Sequence, residues 1–321
     1  MGIRAGLTAL AAVAALTATS ISPATATTAA GTRPHVRFMA HFNVAAGQRP
    51  ENITLDPNGG ADITFAYNRQ VAHVSAGGQV RILATMPNPP ASAVTPALKE
   101  PFLGGITRAQ DGTLYFLYST GTSQLTGLYR LRPGGTPHRI APFPANSLLN
   151  GMALNSHSGL LYIADSVRGT VWRVPTSGGT PARWATSPAL APSGFLGANG
   201  LKLHSGAVWV VNLDKGTVLR IPITRHGAAG TVHTKATGIH NIDDFAFTGH
   251  GDNLLAAVDK NNKVVLVRPD NGTHTTVLNA ADGVQNPTSV AVRGGAMYVT
   301  SGAYFTNKDP NILTARISRG H

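Results

Sequence analysis

The chain has 321 residues, with 26 Lys and Arg against 14 Asp and Glu, a formal net charge of +12 and no cysteine. Without cysteine there is no disulfide framework and no thiolate metal or redox site. With 36 glycines and 21 prolines, a helical bundle is excluded in favour of many short strands joined by tight turns. The basic residues are scattered singly, with no basic cluster and no aromatic–basic module, so the charge does not signal nucleic-acid binding. It fits attraction to anionic cell-envelope polymers, or plain solubility.

Residues 1–30 have the plan of a secretory signal peptide. One positive charge lies within Met1 to Arg4, and an apolar run follows from Ala5 to Ala18. Ala24-Thr25-Ala26 and Thr28-Ala29-Ala30 then offer cleavage sites near Ala26 or Ala30. The apolar run is shorter than the ~20 residues that span a bilayer, and no later stretch is apolar enough to do so. These features predict a secreted protein of bacterial type, with residues 31–321 forming one monomeric domain.

From about residue 50 onward a unit repeats. "NGMALNSHSGLLYIADSVRGTVWRVPTSGGTPARWAT" (150–186) divides into four short strands, with glycine closing most of the turns. Related units start at Glu51, Gly104, Asn199, Asp243 and Asn286, spaced 43 to 53 residues apart. That period and a four-strand unit predict an all-β fold, a six-bladed β-propeller. The last unit, ending "ILTARISR", is one strand short. "HVRFMAHFN" (35–43) is the segment expected to supply that strand and close the ring, which would protect the sheet edges. The Pro-rich stretches 86–104 and 186–198 interrupt the repeat and read as inter-blade loops bordering a binding site.

In a propeller the innermost strand of every blade starts at one mouth of the central channel, so equivalent positions converge there. The unit starts carry Glu51, Asn150, Asn199 and Asp243. Two carboxylates and two amides form a set of hard oxygen donors suited to Ca²⁺, with Mg²⁺ or Mn²⁺ as alternatives. No His or Cys stands at these starts, unlike a zinc N/S site. Asn-Gly and Asp are also ordinary turn residues, and each position taken alone has that simpler explanation.

"PEN" in the first unit, "NGM" in the third, "NGL" in the fourth and "DDFAF" in the fifth resemble the SMP-30/gluconolactonase/LRE-like propellers, along nearly all of the chain after residue 30. The resemblance implies a divalent-metal-dependent hydrolase that opens lactones or related esters with metal-activated water; some relatives cleave phosphoesters. It implies Glu51, Asn199 and Asp243 as metal ligands, with Asn150 beside the metal holding substrate or water. It implies Ca²⁺ as the metal, with Mg²⁺, Mn²⁺ or Zn²⁺ as alternatives, and a small-molecule ester or lactone as partner. Asp243, with Asn150, would be catalytic. The fifth unit reads Ile242-Asp243-Asp244, so either Asp243 or Asp244 could be the ligand. The arginine that contacts sugar lactones in some relatives has no counterpart, since Leu148 and Leu149 precede Asn150.

The alternative is a non-catalytic secreted propeller that binds a glycan, a cell-envelope polymer or a protein and keeps a structural metal. No Gly-x-Ser-x-Gly elbow exists, which argues against a serine hydrolase of the α/β type. His240 is the histidine best placed for a base, while His204, His226, His233 and His250 read as surface turn residues. Trp172, Trp184 and Trp209 read as core. Asn52-Ile53-Thr54 matches a glycosylation sequon next to the expected site.

Overall fold

The computed structural model describes Met1 and residues 35–317, so the expected signal peptide lies outside the described residues. Six antiparallel four-stranded sheets are arranged as blades in a ring. Their innermost strands are Pro50–Leu55, Phe102–Arg108, Leu149–Asn155, Ala198–His204, Ile242–Phe247 and Pro287–Arg293. Each lies within two residues of a unit start read from the sequence. Every innermost strand contacts the innermost strands of the blades on either side, the sixth touching the first, so the ring is closed.

The closing strand is the expected one. Val36–His41 pairs antiparallel with Asn311–Arg316 and completes blade 6 from its outer edge. Both ends of the domain are thus locked into one sheet, and neither leaves a free inner edge for another chain to pair with.

Alternation along the strands places apolar residues on both faces of each blade, because each face packs on a neighbour. The result is six separate inter-blade cores rather than one. The three tryptophans belong to these cores, as expected, with Trp209 fully buried. A seventh apolar cluster, including Phe102, Leu148 and Leu196, lies at the end where the innermost strands begin.

All six innermost strands carry a register shift near their start. The shifts fall at Glu51, Gly104-Gly105, Asn150-Gly151, Asn199-Gly200, Asp243-Asp244 and Thr288. A bulge leaves residues unpaired and re-aims their side chains. Six bulges at one level of the ring thereby turn these residues toward the axis. The Asn-Gly pairs are therefore not turn residues. A Cβ on Gly151 would collide with the backbone of Asn199 and Leu201, and one on Gly200 would meet Asp243 and Asp244. Glycine allows adjacent innermost strands to approach this closely.

Below this level the channel is plugged. The carboxylate of Asp244, almost wholly buried, accepts hydrogen bonds from Lys202 Nζ (2.6 and 2.7 Å), Ser289 Oγ (2.6 Å) and Asn52 Nδ2 (3.1 Å). Blades 1, 4, 5 and 6 meet on this one group. The sequon asparagine, Asn52, is buried in the plug, out of reach of any glycan. Asp244→Ala removes the acceptor of Lys202, Ser289 and Asn52 at once; because Lys202 keeps some contact with solvent, a loss of about 3 kcal/mol, the low end for a buried pair, is expected. A melting temperature lowered by about 10 °C is expected from a domain of this size; an unchanged one would show that the plug does not hold the blades together.

Candidate functional site

Above the plug lies a pocket of about 410 Å³. Glu51, Asn150, Asn199 and Asp243 all line it, so four residues spread over nearly two hundred positions do meet at one mouth. Asp244 does not line it; of the two neighbouring carboxylates, Asp243 faces the pocket and Asp244 faces Lys202.

The floor is a hydrogen-bonded set. Asn199 Nδ2 donates to Asp243 Oδ1 at 2.6 Å, and Ser166 Oγ lies 2.9 Å from Asn199 Oδ1. Ser166 Oγ is also 2.8 Å from the carbonyl of Ala198. One hydroxyl proton cannot serve both acceptors. If it goes to Ala198, the Asn199 amide can turn over, donate to Ser166, and present its oxygen beside the Asp243 carboxylate. Two acceptors in contact then require a proton or a cation between them. On the other side, the Tyr304 hydroxyl donates to Glu51 Oε2 at 2.5 Å.

A fifth oxygen residue joins them. Asp259 follows the second strand of blade 5 and lines the pocket, and its Oδ1 is shielded from solvent with no hydrogen-bond partner. Strand starts alone did not suggest it. In an antiparallel blade, the end of the second strand lies beside the start of the first. "VDKNN" after "LLAA" was the available signal. The same reasoning would have found Tyr67, Leu213, Tyr304 and Phe305, which all follow second strands and line the pocket.

Burial makes these carboxylates hold protons. It pushes Glu51 up to about 8, with the charges of Asp259 and Asp244 adding to the rise and the Tyr304 hydrogen bond opposing it. Asp259 is pushed up to about 7, again by burial. Asp243 is raised well above the ordinary carboxylate range, by burial first and then by Glu51, Asp259 and Asp244. Three buried carboxyl groups lining one pocket without a paired guanidinium or ammonium are poorly compensated.

Among the described residues, no group of three or more His, Cys, Asp or Glu side chains is gathered that could hold a metal ion by itself. A cation here would draw on amides as well as carboxylates. The donor types fit a hard divalent cation: Glu51, Asp243 and Asp259 supply carboxylates, Asn150 and Asn199 supply amide oxygens, and Asp259 brings an oxygen without a partner.

His240, the expected base, does not line the pocket; it is exposed and bonds to the carbonyl of Asp214 through Nδ1. The turn it occupies points outward, so proximity in sequence to Asp243 does not bring the ring inward. His204 stacks on Phe247 with ring centroids 3.9 Å apart. Both interrupting loops border the site as expected: 86–104 contributes Leu98, Glu100 and Phe102, and 186–198 contributes Phe195 and Leu196.

No protein-family model matches the chain, and no curated protein does. Solved structures do match in fold. Regucalcin from Agrobacterium tumefaciens, a calcium-binding protein, aligns with a TM-score of 0.64 at 16% identity, covering 88% of this chain and 94% of that one. A candidate gluconolactonase aligns at 0.64 and 17% identity, over 89% and 93%. Virginiamycin B lyase from Staphylococcus aureus, solved with quinupristin, aligns at 0.57 and 15% identity, over 89% and 100%. At such identities the likeness speaks for architecture: the chain is a six-bladed propeller of the type seen in SMP-30/gluconolactonase-like structures.

Proposed function

We propose that the protein is a secreted hydrolase that opens a lactone or related ester with the help of a divalent cation, calcium being favoured by the all-oxygen donor set. One observation carries this reading: five oxygen-bearing side chains, four from the innermost strands of blades 1, 3, 4 and 5 and one from the turn after the second strand of blade 5, line one pocket, and Asp259 Oδ1 there lacks a partner. Glu51, Asn199 and Asp243 would hold the cation, with Asp259 and Asn150 beside it. When bound, the cation would supply Lewis-acid polarisation of the ester carbonyl and make water more acidic.

The protein's own groups would do the rest. Asp243 is the candidate general base, lining the pocket. A neighbouring cation would keep this carboxyl ionised and so lower its basicity, and its use as a base would rest on position. Tyr304 donates to the Glu51 carboxylate, and Asn150, which lines the pocket, would orient the substrate or the water. The plug closes the channel beneath, so substrate would enter and leave by one mouth.

A second reading has its own support. Tyr304 with Glu51, and Ser166 with Asn199 and Asp243, satisfy one another. That is also what a polar floor in a non-catalytic binding propeller would need. Melting with EDTA, then with Ca²⁺, Mn²⁺ or Zn²⁺, followed by a screen of lactones and aryl esters, separates the two. Calcium at 100 times its Kd should add about 2.7 kcal/mol of stability, and metal-dependent turnover should accompany the shift. A shift without turnover of any ester would favour the binding protein, whose ligand would be a glycan, an envelope polymer or a protein.

A further inference from the structure

We infer that the pocket selects a neutral ester bearing an apolar substituent, alkyl or aromatic, over a polyhydroxylated or acidic sugar lactone. This rests on the hydrolase reading and deepens it. The wall chemistry points there. Above the oxygen floor stand Leu98, Phe102, Phe195, Leu196, Leu213 and Phe305. Phe195 is 43% and Phe305 58% exposed, so two large aromatic faces remain uncovered at the rim of one pocket. The remaining lining groups with polar atoms are Tyr67, an aromatic ring with a single hydroxyl, Tyr304, whose hydroxyl is given to Glu51, Glu100, an anion, and Arg49. Sugar hydroxyls placed against such walls would lose their water without gaining partners, a loss of binding for each one buried.

Charge agrees with shape. The floor itself brings carboxyl groups and amides, and no guanidinium or ammonium, to face an anionic substrate. The guanidinium that lines the pocket, Arg49, is committed elsewhere: it donates to the carbonyls of Gly302 (3.3 Å) and Ala303 (2.5 Å) and to Asn307 Oδ1 (2.5 Å). Lys260 lies with its ammonium 5.5 Å over the Phe305 ring.

The loop that presents Tyr304 and Phe305 is held from below. Arg49 grips it as described, and Asn286 Oδ1 accepts from the backbone N–H groups of Phe305 and Thr306, both at 2.9 Å. Ala303 and Asn307 both sit at φ +50°, a strained region for residues with side chains. The aromatic edge is thus built into the fold.

The test is a γ-lactone series with no substituent and with alkyl chains of one to six carbons, alongside phenyl acetate and a polyhydroxylated lactone, all with Ca²⁺. kcat/KM should rise about 2–4-fold for each of the first methylenes. The polyhydroxylated lactone should fall about 100-fold below the longest chain, and Phe195→Ser with Phe305→Ser should flatten the slope. Both side chains are exposed, so the double variant should fold. A flat series, or preference for the hydroxylated lactone, overturns the inference and leaves the hydrolase reading intact. If nothing is turned over, the hydrolase reading falls and wall chemistry is read by binding instead. Uptake of the neutral dye N-phenyl-1-naphthylamine, displaced by the hexyl but not the hydroxylated lactone, supports the inference; absent uptake, or equal displacement, overturns it.

Discussion

Asp243→Asn is expected to abolish the thermal shift that calcium gives the wild type and to lower kcat/KM by about 1,000-fold, within the range lost when a positioned proton acceptor is removed. Without metal, the variant should melt at or above the wild-type temperature near pH 8. The reason is burial. Desolvation first, and then the charges of Glu51, Asp259 and Asp244, disfavour the ionised form of the wild-type side chain, and asparagine removes that penalty while keeping the shape. Asp244 should behave in the opposite sense, because its partner is a cation: Asp244→Ala loses stability, whereas Asp243→Asn loses metal response. Differential scanning calorimetry with and without EDTA, together with a lactone assay, reads both. A variant at 243 that still responds to calcium would reject the proposed cation site.

The second large effect is on pH dependence. Glu51 and Asp259 titrate near 8 and 7 in the metal-free fold, well above an unfolded carboxylate. The folded state therefore binds more protons than the unfolded chain across the interval between. Stability that rests on the neutral acids is complete below about pH 4 and is lost as pH rises through 7 to 8. The metal-free melting temperature should thus fall from pH 5 to 8, the reverse of a protein whose carboxylates are salt-bridged. A cation must displace those protons, so its affinity should climb over the same window. The gap between calcium and EDTA melting curves should widen by several degrees from pH 5 to 8, then level off. A gap that stays constant with pH would mean that these carboxylates do not take part.

Much of this was legible in the chain itself. The repeat gave six units, and the structure has six blades; the missing strand was found in residues 35–43, and it pairs where expected. Repeats are readable because each blade is a local object: four short strands, Gly turns, and alternation that buries both faces. Glu51, Asn150, Asn199 and Asp243 were legible for the same reason, since equivalent positions in equivalent units must lie at one level of a ring. Asp259 and Tyr304 were not. They sit in turns after second strands, a place that recurs from blade to blade but that the unit starts by themselves do not single out. His240 looked inward by its sequence number and points outward because the turn preceding the fifth blade is held to Asp214.

The choice between Asp243 and Asp244 shows the division most clearly. Sequence fixes that two acids stand at the start of the fifth blade, and no pattern distinguishes them. Folding does: the bulge turns one toward the pocket, and the other is drawn to a lysine 42 residues away on the neighbouring blade. Local spacing and composition therefore determine the number of blades and the level of the site. Which oxygen faces which neighbour depends on long-range contacts that exist only once the ring has closed.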